Sequence, residues 1–273
     1  MCRPGKMQSV LVQGKQPSAA KLLMVFLALL LCPFYSTSAT SKAAAATHSS
    51  QIWNFDADPV GELPEHFVVG TLFNSRLAGE WKVIDMKTFS NFFLQSMNPR
   101  ESRRIIAVLN TQTAPSPPHV LAQLVNKGFE HDYKMVLIQG TLATDFELEV
   151  SFLSVAGRGD MGGGLIWRAQ DDRNYDVARA NPLEQNIRLY RVVKGVRKHH
   201  LATIDQIITV DTWHTLRVTA CGEHFQVRFD GKSVLKVHDH TFMTGEIGLW
   251  TKADAITYFD DLQLFTVREC TLP

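Results

Sequence analysis

Apolar and polar residues alternate with a period of two through most of this chain, and the alternation comes in short runs separated by turn residues. Asp145–Val155 is the clearest run. Phe146, Leu148, Val150 and Phe152 fall on one side, and Glu147 and Glu149 on the other, as a strand with one buried face requires. Comparable runs occupy Gln51–Asp56, Gly79–Asp85, His119–Val125, Tyr133–Gly140, Gly163–Ala169, Tyr175–Asn181, Ile187–Val193 and His199–Ile204. They continue at Trp213–Cys221, His224–Phe229, Ser233–Val237, Gly245–Thr251 and Ile256–Val267. Asp230-Gly231 between two of these runs supplies the positive φ angles of a primed hairpin turn. So many strands at close spacing, with scarcely a helical pattern, predict an all-β sandwich rather than a βαβ fold.

Two regions break the pattern. Residues 86–118 are irregular, with an apolar cluster at Phe89, Phe92, Phe93 and Leu94, a helix-compatible stretch Arg100–Arg104 and a strand-like run Ile105–Leu109. They read as a surface insertion with room for one short helix, closed by the stiff TAPSPP segment Thr113–Pro118. Residues 1–46 read as a signal peptide and small-residue linker: a basic leader, the apolar run Leu22–Leu31, then Ser, Thr and Ala. Ten apolar residues fall short of the roughly 20 that span a bilayer. The expected product is an exported domain, periplasmic or extracellular, covering 47–273 and without a stable membrane span. An uncleaved anchor, or lipidation at Cys32, is the minor alternative.

Composition adds little until that leader is set aside. The whole chain carries 28 basic and 27 acidic residues. Residues 1–46 hold five of the basic ones and no acid, so 47–273 has 23 basic against 27 acidic, a net charge of −4. A mildly acidic domain gives no footing for nucleic acid, which needs a clustered basic face. Cys2 and Cys32 go with the leader. Cys221 and Cys270 remain, either as a disulfide suited to an oxidising compartment or as two thiols.

Candidate chemistry gathers in Gly162–Ala202, where aromatic, guanidinium and amide groups are densest. Alternation puts Tyr175, Val177, Arg179 and Asn181 on one face of a strand, and Arg188 and Tyr190 on one face of the next. If the hairpin register aligns those faces, they form a planar polar patch, expected to have Arg168 and Trp167 beside it on the neighbouring strand and to extend to Trp250 and Lys252. Arginine and amide donors suit sugar hydroxyls, and aromatic rings suit the C–H faces of sugars. The plainer reading is a core Trp167 and a solvated sheet face whose arginines pair with Asp171, Asp172 and Glu184.

Other motifs carry less. Asp145, Glu147 and Glu149 alternate as the acids of a sandwich-fold glucanase would, yet their neighbours already account for them as a solvated face. His238 and His240 are two imidazoles where a metal site needs three or four ligands. Asp260 and Asp261 beside Tyr258 are the only hint of calcium, so no cofactor is expected. Arg158-Gly159-Asp160 lies in a glycine-rich turn, where such a tripeptide is a matter of composition. There is no Gly-x-Ser-x-Gly elbow, phosphate loop or Cys/His zinc box.

The segments GGLIWR (163–168), NYDVARAN (174–181), WHTLR (213–217), GLWTKAD (248–254) and YFDD (258–261), with the entry Phe55-Asp56 … Pro59-Val60-Gly61 … Leu63-Pro64, resemble exported bacterial domains of the 3-keto-disaccharide hydrolase domain family. The resemblance covers most of 53–267 and implies a concanavalin A-like, laminin G-like jelly roll. The region 86–118 is longer and more apolar than that pattern, and Asp176 stands where relatives often carry a second tyrosine. Two functions are therefore expected. One is a carbohydrate-binding or glycan-facing module without catalysis. The other, implied by the resemblance, is a glycoside hydrolase acting on 3-keto-disaccharides or related glycans, with the carboxylate of Glu184 or Asp260 as its base.

Overall fold

The computed structural model describes residues 49–72, 78–86, 99–125, 127–198, 200–267 and 270. The chain divides into units Met1–Ala44 and Ala45–Pro273, and every described residue lies in the second. The expected signal and the apolar cluster at 89–94 lie outside the described residues.

The strands are β1 (Ser49–Trp53), β2 (Phe67–Leu72), β3 (Trp81–Asp85), β4 (His119–Gln123), β5 (Tyr133–Ala143), β6 (Phe146–Ala156), β7 (Gly163–Asp171) and β8 (Asn174–Asn181). They continue as β9 (Asn186–Val193), β10 (Val196–Arg197), β11 (Ala202–Asp205), β12 (Trp213–Cys221), β13 (His224–Phe229), β14 (Lys232–His238), β15 (Gly245–Lys252) and β16 (Ile256–Thr266). Among the described residues one helix, α1 (Pro99–Thr111), lies between β3 and β4. Two antiparallel sheets result. One has the order β14-β13-β12-β6-β16-β4-β3 with β1 on β16, and the other β10-β9-β8-β7-β15-β5-β2 with β11 on β9. This is a jelly-roll β-sandwich.

The core between the sheets is built from the predicted inward positions. Phe146, Leu148, Val150, Phe152, Leu216 and Val218 of the first sheet meet Leu165, Trp167, Ala178, Ala180, Leu189 and Leu249 of the second, all fully buried. Each large side chain so buried contributes about 1.5–3 kcal/mol. Trp167 meets Phe225 edge to face at 5.4 Å between centroids.

The outer face of the first sheet is half covered. Ile105 and Leu109, four apart on one stripe of α1, bury Ile84, Val120, Ala122, Leu153, Val155 and Tyr258. The strand expected at Ile105–Leu109 is therefore part of a helix: a run apolar on one helical stripe supplies the lid this sheet needs. Arg104 ties α1 down through the Val155 carbonyl at 2.9 Å. Beyond the helix the face is solvated, and Arg217 bridges Glu149 at 2.7 Å and Glu147 at 3.2 Å. Those acids are ordinary outer-face residues.

The second sheet covers its outer face by curling. Leu72, Tyr133, Met135, Ile166, Tyr175, Val177, Tyr190, Val192 and Trp250 form a buried cluster there. The guanidinium carbon of Arg197 lies 4.7 Å from the Tyr190 ring centroid on β9 and 5.4 Å from that of Tyr133 on β5. Three strands separate β9 from β5, so one side chain can touch both only across a concave surface. β2, unread in the sequence, is an edge strand with Val68 and Val69 exposed, so its apolar run does not alternate cleanly.

Candidate functional site

Register decides which predicted site residues meet. On the outer face of the curled sheet, Trp250 pairs with Gly164, Gly164 with Arg179, Arg179 with Arg188, and Arg188 with Thr203. Trp250, Arg179 and Arg188 thus share one cross-strand row. Gly164 is small of necessity, since a Cβ there would lie 2.7 Å from the Ala178 carbonyl oxygen. Asn181, paired with Asn186, lies one step along the strand in one direction, and Val177, paired with Tyr190, in the other.

Glu184, in the β8–β9 turn, ties the arginines together. Its carboxylate accepts from Arg179 Nη2 at 2.8 Å and pairs with Arg188 Nη1 at 2.9 Å. Arg179 also donates to the Asn186 side-chain oxygen at 2.7 Å, and Arg188 to the Tyr190 hydroxyl at 3.3 Å. Asn181 Oδ1 accepts from the Leu183 backbone N–H at 2.9 Å and so shapes the turn. Burial alone would raise the Glu184 pKa. Both arginines, with hydrogen bonds from Arg179 and Asn186, more than offset it and hold the carboxyl below its usual range.

The layers of this cluster differ in access. The Arg179 side chain is 2% exposed, whereas Arg188 and Glu184 are 28% and 31% exposed. Tyr175 and Trp250 are buried in the apolar floor, and burial drives the Tyr175 phenol far up. Lys252 faces the fully buried Asp160 at 3.4 Å. Asp160 accepts from the Gly162 N–H at 2.8 Å, and its pKa is raised first by burial, with Lys252 and Arg179 opposing. Above the floor is an open 350 Å³ cavity lined by Tyr190, Val196, Arg197, Lys198 and His200. The His200 ring stands 5.2 Å from that of Tyr190.

Three predicted members are elsewhere. Trp167 lies in the core between the sheets. Arg168 does not sit beside Arg179. It has φ +50 within the β7 irregularity, and a Cβ on the facing Gly245 would lie 2.4 Å from its carbonyl carbon. The kink turns the side chain inward, where it donates to the carbonyls of Gly222 at 2.6 Å and of Thr144 and Phe242 at 2.9 Å. Its guanidinium lies over Phe225 at 4.9 Å. Strict alternation fails at such a bulge. Asp260 lies on the opposite sheet and accepts from Ser116, N–H at 2.8 Å and hydroxyl at 3.0 Å. Burial raises its pKa to about 6. It anchors the loop before β4 and is remote from the arginine row by topology, and the same Ser116 hydroxyl contacts Asp261 at 2.9 Å. Among the described residues no group of three or more His, Cys, Asp or Glu side chains could hold a metal ion.

Arg197, Lys198, His200 and Asp160 were not among the predicted ligand residues. The first three belong to the cationic run Lys194–His200, whose signal lay in plain view as charge. Asp160 was hidden in the Arg158–Asp160 tripeptide, which the Asp254 carboxylate pins through the backbone N–H groups of Arg158, Gly159 and Asp160 at 2.8–3.0 Å. With its acid buried, that tripeptide is not displayed for adhesion. Cys221 and Cys270 form a disulfide. No described helix is long and apolar enough to cross a membrane.

No protein-family model and no curated protein sequence matches the chain. Solved structures do. The carbohydrate binding module CBM66 from Bacillus subtilis is 22% identical, with 52% of this chain and 85% of that one covered and a TM-score of 0.47. The Caenorhabditis elegans galectin LEC-6 is 11% identical, covering 48% and 88%, TM-score 0.39. A Bacillus subtilis protein of unknown function with a galectin-like fold is 12% identical, covering 55% and 84%, TM-score 0.43. These are likenesses of fold.

Proposed function

We propose that the chain is an exported glycan-binding module whose ligand sits in the cavity beside Tyr190 and Arg197. The observation that carries this reading is the convergence of Arg197, Lys198 and His200 on one open cavity whose aromatic wall, Tyr190, takes a hydrogen bond from Arg188 of the Arg188–Glu184 pair. Its 350 Å³ lies at the small end of the usual range for ligand sites, about 300–1,000 Å³. Planar guanidinium and carboxylate groups offer paired donors and acceptors to neighbouring hydroxyls. Arg179, Asn181, Tyr175, Trp250 and Lys252 hold that surface from beneath rather than touch the ligand. The Cys221–Cys270 disulfide supports an oxidising compartment.

Hydrolysis of a 3-keto-disaccharide or related glycoside is the second reading, favoured by one partly exposed carboxylate, Glu184, in the arginine row. Against it, glycosidases use two carboxyl groups about 5–9.5 Å apart that both reach the substrate. The nearby second acid, Asp160, is sealed behind Lys252. Glu184, held ionised by two arginines, is better placed to orient than to take a proton.

Calorimetric titration of the 273-residue chain against a broad panel of oligosaccharides, with reducing ends assayed in parallel, decides between them. The expected result is binding without cleavage, weakened about tenfold by Arg188→Ala, the loss of roughly one charge-assisted hydrogen bond. Absence of any glycan binding overturns the reading. Reducing ends released by the wild type and not by Glu184→Gln replace it with the hydrolase.

A further inference from the structure

We infer that the saccharide this cavity takes is acidic, a uronate whose carboxylate pairs with Arg197. The inference rests on the glycan-binding reading and adds the charge of the ligand. The cavity rim is rich in cations and short of acids. Behind the Tyr190 wall, outside the lining itself, Glu184 is shared by Arg179 and Arg188, so that trio keeps one net positive charge. Arg197 has no carboxylate within ion-pair distance among the described residues; its neighbours are the rings of Tyr190 and Tyr133. A ring face holds a guanidinium in position without neutralising it. Lys198, exposed beside Arg197 on the same wall, likewise has no described carboxylate partner.

This charge is local. The domain from residue 47 carries more acids than bases, so the rim is not a sample of a basic surface. On the other sheet the balance is reversed, one arginine, Arg217, between two carboxylates. An arginine fixed over aromatic faces presents a planar fork that fits a planar carboxylate by two parallel N–H···O bonds. Lys198 adds a point charge for the next residue of the chain. A neutral sugar would leave both cations uncompensated.

The test titrates the full chain with oligogalacturonate, with the same oligomer fully methyl-esterified, and with oligo-dT as an unrelated polyanion. The expected outcome is binding of oligogalacturonate at least tenfold tighter than of its ester and of oligo-dT. That affinity should fall as salt rises from about 0.05 to about 0.5 M, drop about tenfold in Arg197→Gln, and be partly restored in Arg197→Lys. Thermal melts of both variants confirm that they are folded. Equal or tighter binding of the ester, or an Arg197→Gln variant that binds acid as well as wild type, overturns the acidic ligand and leaves glycan binding standing. Equal binding of oligo-dT overturns it in favour of a general polyanion site. Neutral glycans bound in the panel without oligogalacturonate also overturn it, and no glycan bound at all removes both readings.

Discussion

The two faces of the β8–β9 hairpin use the same chemistry to opposite ends. On the inner face Asp176 pairs across the strands with Arg191, and on the outer face Arg179 pairs with Arg188. Inside, the terminal Nη donors carry the bonds, while Nε of Arg168 and of Arg191 is buried without a partner among the described residues. Arg191 is bound to Asp239 at 2.7 Å, Arg168 to three backbone carbonyls, and Asp176 is sealed near both arginines. Outside, one carboxylate serves two arginines, and Arg197 is met by rings rather than acids. The lesson is that a guanidinium is a site or a rivet according to how many of its donors the fold has already used.

The largest expected effect comes from the inner face. Arg168→Met removes a buried cation and leaves three carbonyls unpaired, and should cost on the order of 3–5 kcal/mol, read as a lowered midpoint in urea. Glycan binding by the folded fraction should be unchanged. A clear loss of affinity in that fraction would dissolve the distinction between the faces.

Next comes pH. Burial, and then the nearby Asp239, raise the Asp176 pKa to about 8, with Arg191 and Arg168 opposing, against about 3.9 in an unfolded chain. A raised carboxyl pKa means that the folded state holds the proton more tightly. The contribution is therefore complete below about pH 4 and is lost as pH rises through about 8. Asp176→Asn should remove that part of the slope. Urea midpoints of wild type and variant compared at both ends of the window check it, and parallel pH profiles would show that Asp176 is ionised throughout.

The smallest effect sharpens the outer face. Arg188 is partly exposed and shares its carboxylate with Arg179, so Arg188→Ala should change stability by less than about 1 kcal/mol while still weakening the ligand. A melting temperature displaced as far as that of Arg168→Met would make Arg188 a second rivet.

Much of the fold was legible along the chain, because a strand with one buried face writes its period locally. The runs at Trp213–Cys221 and His224–Phe229 coincide with β12 and β13. The Asp230-Gly231 turn has φ +47 and +75 at its two central residues. The alternation that aligned Tyr175, Arg179 and Asn181 with Arg188 and Tyr190 holds in the register. Arg168 did not follow, because one positive φ turns a side chain to the other face. Ile105–Leu109 did not either, because an apolar residue every fourth position marks a helix stripe only when there is a sheet to cover.

By itself, then, the sequence determined strands, faces and the charge of the Lys194–His200 run, all of which follow from neighbours a few residues apart. The tertiary structure alone decided which cations are neutralised. The partners of Arg168 come from residues 144, 222 and 242, and the rings around Arg197 from residues 133 and 190. Those groups are brought together only when the sheets pair and the second one curls, and no local pattern in the chain records that closure.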